Sequence, residues 1–406
     1  MTDMLSVEAA LDQLLAAAVP VIESQTLPAE TALGLILAAP LVSGVNVPPL
    51  DNSAMDGYAL RHAECVDGAG EPQWLSPWLP ISQRIPAGHP GQPLQAGTAA
   101  RIFTGAPIPD GADCVVMQED CEAGTDEVRV MRPPKPGANI RRAGEDIQIG
   151  QTVLEPGARL GPAQLGVAAS IGETRLTVYR RLKAAVFFTG DEIVLPGEPL
   201  GAGRIYNSNR ATLIALLNQL GIEVIDLGQI GDNFDATLVA LQRASAVADV
   251  VITSGGVSVG EEDHVKAAVE KIGRIDLWNV SMKPGKPLAH GRIGNVDFIG
   301  LPGNPVSAFV VFCLFVRPFL LKRMGAIFRP PAGFHLPAGF TRAKPGRRRE
   351  FMRARIEMNR AVLFPNQSSG VLTSLAWADG LVDVDAGVTV NVGDPVRFIP
   401  LSELLA

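Results

Sequence analysis

Residues 253–263 read TSGGVSVGEED, a glycine-rich turn that runs straight into three carboxylates, Glu261, Glu262 and Asp263. Two chemistries fit this stretch. GVSVG matches the G-x-S-x-G elbow that presents a nucleophilic serine, here Ser258, in α/β-hydrolases. The same residues also suit a loop whose backbone amides approach a phosphate and whose acids hold a cation against it. A hydrolase further needs an HGGG-like oxyanion segment and a later acid–histidine pair. The chain has no HGGG. Asp276 or Asp297 with His335 would satisfy chain order, but three acids within five residues of Ser258 would oppose an oxyanion. A P-loop, G-x-x-x-x-G-K-[ST], is also absent. The sequence therefore favours an anion site with a bridging cation.

Other segments repeat the pattern. Thr189-Gly190-Asp191-Glu192, Gly231-Asp232-Asn233, Ser254-Gly255-Gly256 and Leu301-Pro302-Gly303-Asn304-Pro305 each place turn-forming residues after an apolar run. Glycine lets backbone N–H groups reach an anion, and a following helix N-terminus adds a favourable dipole. Carboxylates beside such an anion would repel it unless a cation intervenes, so Glu192, Asp232 and Asp263 are expected to hold Mg²⁺ against phosphate oxygens. SMKPGKPLAHG at 281–291 is expected to be a proline-stiffened loop carrying Lys283 and Lys286 toward an oxyanion. Arg141-Arg142, followed by Glu145 and Asp146, could do likewise, whereas Arg347-Arg348-Arg349 reads as a solvated charge run.

Composition narrows the partners. A chain of 406 residues with net charge −7, pI near 5.4 and 5% aromatics lacks the basic face and stacking residues of a nucleic-acid binder. Four cysteines without a C-x-x-C pair read as free thiols of a reducing cytoplasm, and five histidines show no zinc spacing. Oxygen ligands are left for any metal, again pointing to Mg²⁺. MTDMLSVEAALDQLL lacks the basic and cleavage features of a signal peptide. The apolar stretch 306–316 stops at Arg317-Pro318, too short for a bilayer, and is expected to be a buried helix. A cytoplasmic protein that touches no membrane is the expectation.

The elements that position these residues follow from periodicity. Apolar spacing predicts short helices over 7–18 and 29–38. From 46 to 146, frequent Pro and Gly with short runs such as CVVMQ and EVRVM predict an inserted, mostly β domain. Residues 1–45 and 147–180 then form a discontinuous first domain around it. Residues 181–330 alternate continuous apolar strands with amphipathic helices, the pattern of a parallel, doubly wound α/β domain, with Asn209 as cap of its first helix. Residues 331–406 read as a C-terminal small β-barrel or sandwich. The expected fold class is α/β plus β, multidomain. Ligands bind beyond the carboxyl ends of strands in open α/β sheets, where the polar turns above fall.

DNSAMDGYAL (51–60), RIFTGAPIPDGADCVVMQED (101–120), RRAGEDI (141–147), FFTGDEI (187–193), TSGGVSVGEEDHVK (253–266), MKPGKPLAHG (282–291) and GLPGNPVSA (300–308) together resemble the molybdopterin molybdenumtransferase family. This is the bacterial MoeA type, related to the gephyrin E domain. The matches run in family order, and the flanks fit its four-domain plan. The resemblance implies insertion of molybdate into adenylylated molybdopterin, with release of AMP and Mg²⁺ assisting. It implies a homodimer whose site lies between the α/β domain of one subunit and the inserted β domain of the other. It carries a catalytic role to Asp56, Thr104, Asp146, Glu192, Asp232 and Asp263. Substrate contacts are carried to Arg141, Gly255, Gly256, Lys283, Lys286, Pro302, Gly303, Asn304 and Ser374. Transient contacts with molybdopterin adenylyltransferase and with cofactor-accepting enzymes follow from that place in assembly. Where some relatives have a lysine, this chain has Asn279. A molybdopterin adenylyltransferase and a gephyrin-like scaffold are the rival readings. The long flanks of the α/β module disfavour the first, and the lack of an attached adenylylating domain disfavours the second.

Overall fold

A computed structural model describes residues 4–66, 75–256 and 264–405. Ser258, Glu261, Glu262 and Asp263 lie outside the described residues.

The α/β domain contains β1 (Lys183–Thr189), α1 (Ser208–Gln219), β2 (Glu223–Ile230), α2 (Phe234–Ser245), β3 (Val250–Ser254), α3 (His264–Ile272), β4 (Arg274–Trp278), β5 (Ala289–Ile293), β6 (Val296–Leu301) and α4 (Pro305–Arg323). Its sheet runs in the order β2-β1-β3-β6-β5-β4. The four strands expected from the sequence, β1, β2, β3 and β6, are parallel. The β4–β5 and β5–β6 pairs are antiparallel, so the sheet is mixed at one edge. Residues 289–291, expected in a loop, belong to β5. Short strands containing His, Arg and Gly give too little apolar signal to be recognised alone.

Both faces of this sheet are covered. Ala184, Val186 and Phe188 pack with α1, α4 and the helix Val7–Ala17, while Ala185 and Phe187 pack with α2 and α3. Successive side chains of one strand point to opposite faces, so a strand buried on both reads as a continuous apolar run. Helix α4 continues through Pro318 to Arg323, beyond the end expected at Arg317-Pro318. A π-turn at Phe312–Val316 precedes the proline, whose missing N–H would interrupt a regular helix. By length and composition α4 could cross a membrane, with mean hydropathy 1.7, but 83% of that window is buried inside the protein. Its apolarity is that of a core helix.

Residues 29–38 do not form the expected helix. A single 3₁₀ turn at Ala29–Thr31 is followed by Gly34 at φ +78°, which breaks helical winding. Ile36 and Leu37 then make β-bridges to Arg159 and Val178. Ser24–Pro28 pairs with Arg175–Tyr179, and Leu41–Val42 with Thr152–Leu154. Val47 bridges Ile147, closing the neck of the intervening segment. That segment is built on a six-stranded sheet containing Gly57–Leu60, Ala99–Ile102 and Cys114–Met117. In the C-terminal domain, Arg349–Glu357 is flanked by Gly380–Val384 and by Met282–Lys283, a two-residue strand contributed by the α/β domain.

Asp297 of β6 is fully buried and anchors the face of the domain opposite the strand ends. Arg323 Nε lies 2.9 Å and Arg292 Nε 3.2 Å from its carboxylate, with His290 Nε2 at 3.6 Å. Arg323 also donates to the Val19 carbonyl, tying the N-terminal segment to the sheet. Removing this acid leaves two cations facing an uncompensated site. Asp297→Ala is expected to destabilise the protein by about 3 kcal/mol in chemical denaturation; a loss below about 1 kcal/mol would contradict this role.

Candidate functional site

A cavity of about 1000 Å³ opens beyond the carboxyl ends of β1, β3 and β6. Thr189, Ser254 and Leu301 close those strands. Of the residues expected to bind ligand, Glu192, Asp232, Gly255, Gly256, Lys283, Lys286, Pro302, Gly303 and Asn304 all line this one space. They come from four separate strand-end turns and the 281–288 loop. The cavity thus joins two carboxylates and two lysines over glycine-rich backbone.

Local bonding explains how these groups are held. Gly255 has φ +99°, and a Cβ there would lie 2.5 Å from the Thr189 carbonyl oxygen, so the turn needs glycine. Thr189 Oγ1 donates to Asp232 Oδ1 at 2.8 Å, fixing one oxygen of that acid and leaving the other for a ligand. Asn207, not Asn209, caps α1, accepting from the Arg210 amide at 3.0 Å. Two asparagines in NSNR each had cap chemistry, and the helix starts early enough to use the first. Asn209 instead donates to Ser254 Oγ at 2.8 Å and to the Gly303 carbonyl at 2.7 Å. Ser254 Oγ in turn donates to the Pro302 carbonyl at 2.9 Å. This chain of bonds locks the β3 and β6 ends together.

The C-terminal domain supplies the opposite wall through Arg348 and residues 367–370. The Val306 amide, in the first turn of α4, donates to the Ser369 carbonyl at 3.0 Å, docking that wall on the helix. Glu350 accepts from Lys283 at 3.4 Å and pairs with Arg342 at 3.2 Å. The Arg347-Arg348-Arg349 run is therefore not simply solvated. Arg348 borders the cavity, and Arg349 makes a two-point ion pair with Asp383, at 2.6 Å on each arm.

Ser374 is fully buried behind this wall and does not line the cavity. Its Oγ donates to the Val371 carbonyl at 2.6 Å and accepts from Arg353 Nε at 2.9 Å. Arg353 also donates to the Ser368 carbonyl at 3.0 Å. Arg353 is 1% exposed with no carboxylate ion pair among the described residues, and burial lowers its pKa to about 10. Ser374 thus reaches the cavity wall through Arg353.

The remaining candidates form a separate, exposed group. The Thr104 amide and hydroxyl both donate to Asp56 Oδ1 at 2.8 Å, and these bonds hold the Asp56 pKa below the ordinary carboxylate value. Arg141 lies on a short strand paired with Asn52–Ser53, and Asp146 beside it is exposed. Its neighbour Arg142 is occupied by Asp51 at 2.6 Å. None of Asp56, Thr104, Arg141 or Asp146 borders the cavity of its own chain. Asn279 sits at φ +73°, a left-handed conformation that asparagine tolerates better than lysine, and it too lies off the cavity. Asp263 lies outside the described residues. Among the described residues, no cluster of three or more His, Cys, Asp or Glu forms a ready metal cage.

Sequence reasoning missed Arg348, Tyr206, Asn207 and the 367–370 wall. NQSS at 366–369 carried a weak turn signal, but nothing in it indicated which surface it would cover.

A multidomain architecture in which a doubly wound α/β unit presents a glycine-lined cavity, closed by a β domain, defines a small-molecule-binding enzyme class. Three family models match in succession: the MoeA N-terminal region (domains I and II) over 5–172, a probable molybdopterin binding domain over 185–322 and the MoeA C-terminal region (domain IV) over 335–401. The chain is 41% identical to a molybdopterin molybdenumtransferase of Haemophilus influenzae over 94% of its length and 95% of that protein. It is 39% identical to molybdopterin molybdenumtransferase 2 of Mycobacterium tuberculosis over 89% and 91%. A molybdopterin biosynthesis MoeA protein from Pyrococcus horikoshii OT3 superposes with TM-score 0.83 at 26% identity, covering 98% of this chain and 100% of that one. The chain belongs to the molybdopterin molybdenumtransferase family, transferases of molybdenum cofactor biosynthesis.

The Asp56–Thr104 pair gives a direct test of the exposed group. Thr104→Val removes the hydroxyl donor and keeps the amide, so the Asp56 pKa should rise toward its ordinary value in an NMR titration of the carboxyl carbon. An unchanged pKa would show that the hydroxyl contributes nothing.

Proposed function

We propose that this enzyme inserts molybdate into the dithiolene of adenylylated molybdopterin and releases AMP, with Mg²⁺ required. The observation that carries this reading is the convergence of Glu192, Asp232, Lys283 and Lys286 on one glycine-lined cavity. A nucleotide-linked pterin needs backbone amides for its phosphates, and molybdate needs fixed cations. The relatives carry the name molybdopterin molybdenumtransferase, and the middle family model is described as a probable molybdopterin binding domain.

The donor set fits Mg²⁺. Glu192 and Asp232 offer hard oxygen ligands, and Mg²⁺ is commonly held by one or two carboxylates with the rest of its shell from water and substrate phosphates. Bound there, the ion would neutralise charge on the phosphoanhydride. Asp263 is the third proposed ligand. The protein's own groups do the rest. Lys283 and Lys286 orient the oxyanion, Thr189 holds Asp232 in place, and Tyr206, the only aromatic among the described cavity residues, offers a face to a ring of the substrate. Pro302, Gly303 and Asn304 shape the floor. Arg353, behind the wall with Ser374, adds positive potential.

The exposed Asp56, Thr104, Arg141 and Asp146 support a homodimer in which this group faces the cavity of the partner subunit. In this proposal the enzyme works in the cytoplasm, receiving its substrate from the adenylyltransferase and passing the product to cofactor-accepting enzymes by transient contacts.

Purified protein should release AMP from adenylylated molybdopterin only with both molybdate and Mg²⁺ present. Formation of adenylylated molybdopterin from ATP and free molybdopterin would make it an adenylyltransferase, and no release at all would favour a scaffold. Asp232→Asn should lower turnover by about a hundredfold, with partial recovery at raised Mg²⁺. Mixing Thr104→Ala with Asp232→Ala protein should restore about a quarter of the sites after random subunit exchange; no recovery after verified exchange would place the whole site in one chain.

A further inference from the structure

We propose that Arg101 is the positioning residue for Asp56, gripping the backbone from which that carboxylate projects and so fixing where it points. The inference rests on the reading above that Asp56 faces the cavity of the partner subunit. Asp56 directly precedes the strand Gly57–Leu60, whose Tyr58 stands opposite Arg101 of the strand Ala99–Ile102. A Cβ at Gly57 would lie 1.9 Å from the Val116 carbonyl oxygen, so this backbone is pressed against the strand Cys114–Met117. Arg101 Nη1 donates to the Gly57 carbonyl at 2.9 Å, and Nη2 donates to Gln118 Oε1 at 2.6 Å. The Gln118 amide in turn donates to the Asp56 carbonyl at 3.1 Å. The guanidinium also lies over the rings of Tyr58 and Phe103, at 5.1 and 4.7 Å from their centroids. Tyr58 follows Asp56 by two residues, and Phe103 directly precedes Thr104.

One side chain thus ties together the two segments that carry the Asp56–Thr104 pair. The Thr104 amide and hydroxyl fix Asp56 Oδ1, while Arg101 fixes the main chain on either side of the Asp56–Gly57 peptide. Oδ2 makes no hydrogen bond among the described residues and is left for a ligand. Arg101 makes no ion pair with a carboxylate among the described residues, so it aims Asp56 without covering the oxygen that Asp56 presents. Behind the two Thr104 bonds, its charge also acts through space to hold the Asp56 carboxyl below its ordinary pKa. A lysine would keep the charge but, as a single ammonium, could not reproduce the planar fork and the stacking together.

The kinetics of AMP release in a double-mutant cycle test this role. Arg101→Gln should lower kcat about tenfold or more and leave KM within about twofold, the signature of a misaimed group rather than a lost binding contact. Arg101→Lys should recover part of the loss. In an Asp56→Asn background, Arg101→Gln should change kcat by less than about twofold, because the acid it aims is already neutral. Thermal unfolding midpoints establish that each variant is folded, and Arg101→Lys carries the same cycle if Arg101→Gln does not fold. A fall of equal size with and without the Asp56 carboxylate, or folded Arg101 variants as active as wild type, overturns the inference while the proposed function stands. Asp56→Asn protein as active as wild type removes the role proposed for Asp56, and the inference with it.

Discussion

The pairing of Met282–Lys283 with Arg349–Glu350 is the constraint on which the cavity depends. Two residues of the α/β domain join the edge of the C-terminal sheet in parallel register, Met282 beside Arg349 and Lys283 beside Glu350. That short ladder sets the position of Lys283, brings Arg348 to the Met282 carbonyl and carries the 367–370 segment over the β3 and β6 ends. Without it the strand ends would form an open shelf with acids but with one wall missing. A rigid scaffold thus holds the turns, and a second domain encloses them.

Charge inside the cavity is divided between its walls. The α/β side holds Glu192 and Asp232 over backbone amides, which suits a cation coordinated jointly with phosphate. The C-terminal side contributes Arg348 from the cavity edge and Arg353 from behind, with Lys283 and Lys286 between the two. Glu350 is 13% exposed in its side chain and shared between Lys283 and Arg342. It keeps Lys283 in place without cancelling the other cations. Like charges on one wall would repel, and the alternation across the gap is what the proposed pairing of a dianion with a divalent cation calls for.

What the sequence revealed follows from how local each signal was. Strand β1 was readable because burial on both faces makes it continuously apolar. The turns at Glu192, Asp232, Gly255 and Asn304 were readable because glycine, proline and acids directly after a strand place themselves. Contacts between distant segments were not. Glu350 and Lys283 are 67 residues apart, and the place of Arg348 at the cavity edge depends on the same ladder, so a basic run looked like solvated surface. Ser374 gave a plausible local match, yet its hydroxyl is buried against Arg353. The helix expected at 29–38 failed because β-bridges to Arg159 and Val178 outweighed apolar spacing broken by Gly34. Helix α4 outran its expected end because a π-turn accommodates Pro318.

The central claim is that one cavity at the strand ends holds oxyanion and cation together. A crystal grown with molybdate, AMP and Mn²⁺ in place of Mg²⁺ tests it most directly, since anomalous scattering separates molybdenum from manganese. The account predicts molybdenum beside Lys283 and Lys286, with manganese on Glu192 and Asp232 facing the AMP phosphate. Molybdenum and manganese bound elsewhere, with this cavity empty at saturating concentrations, would contradict it.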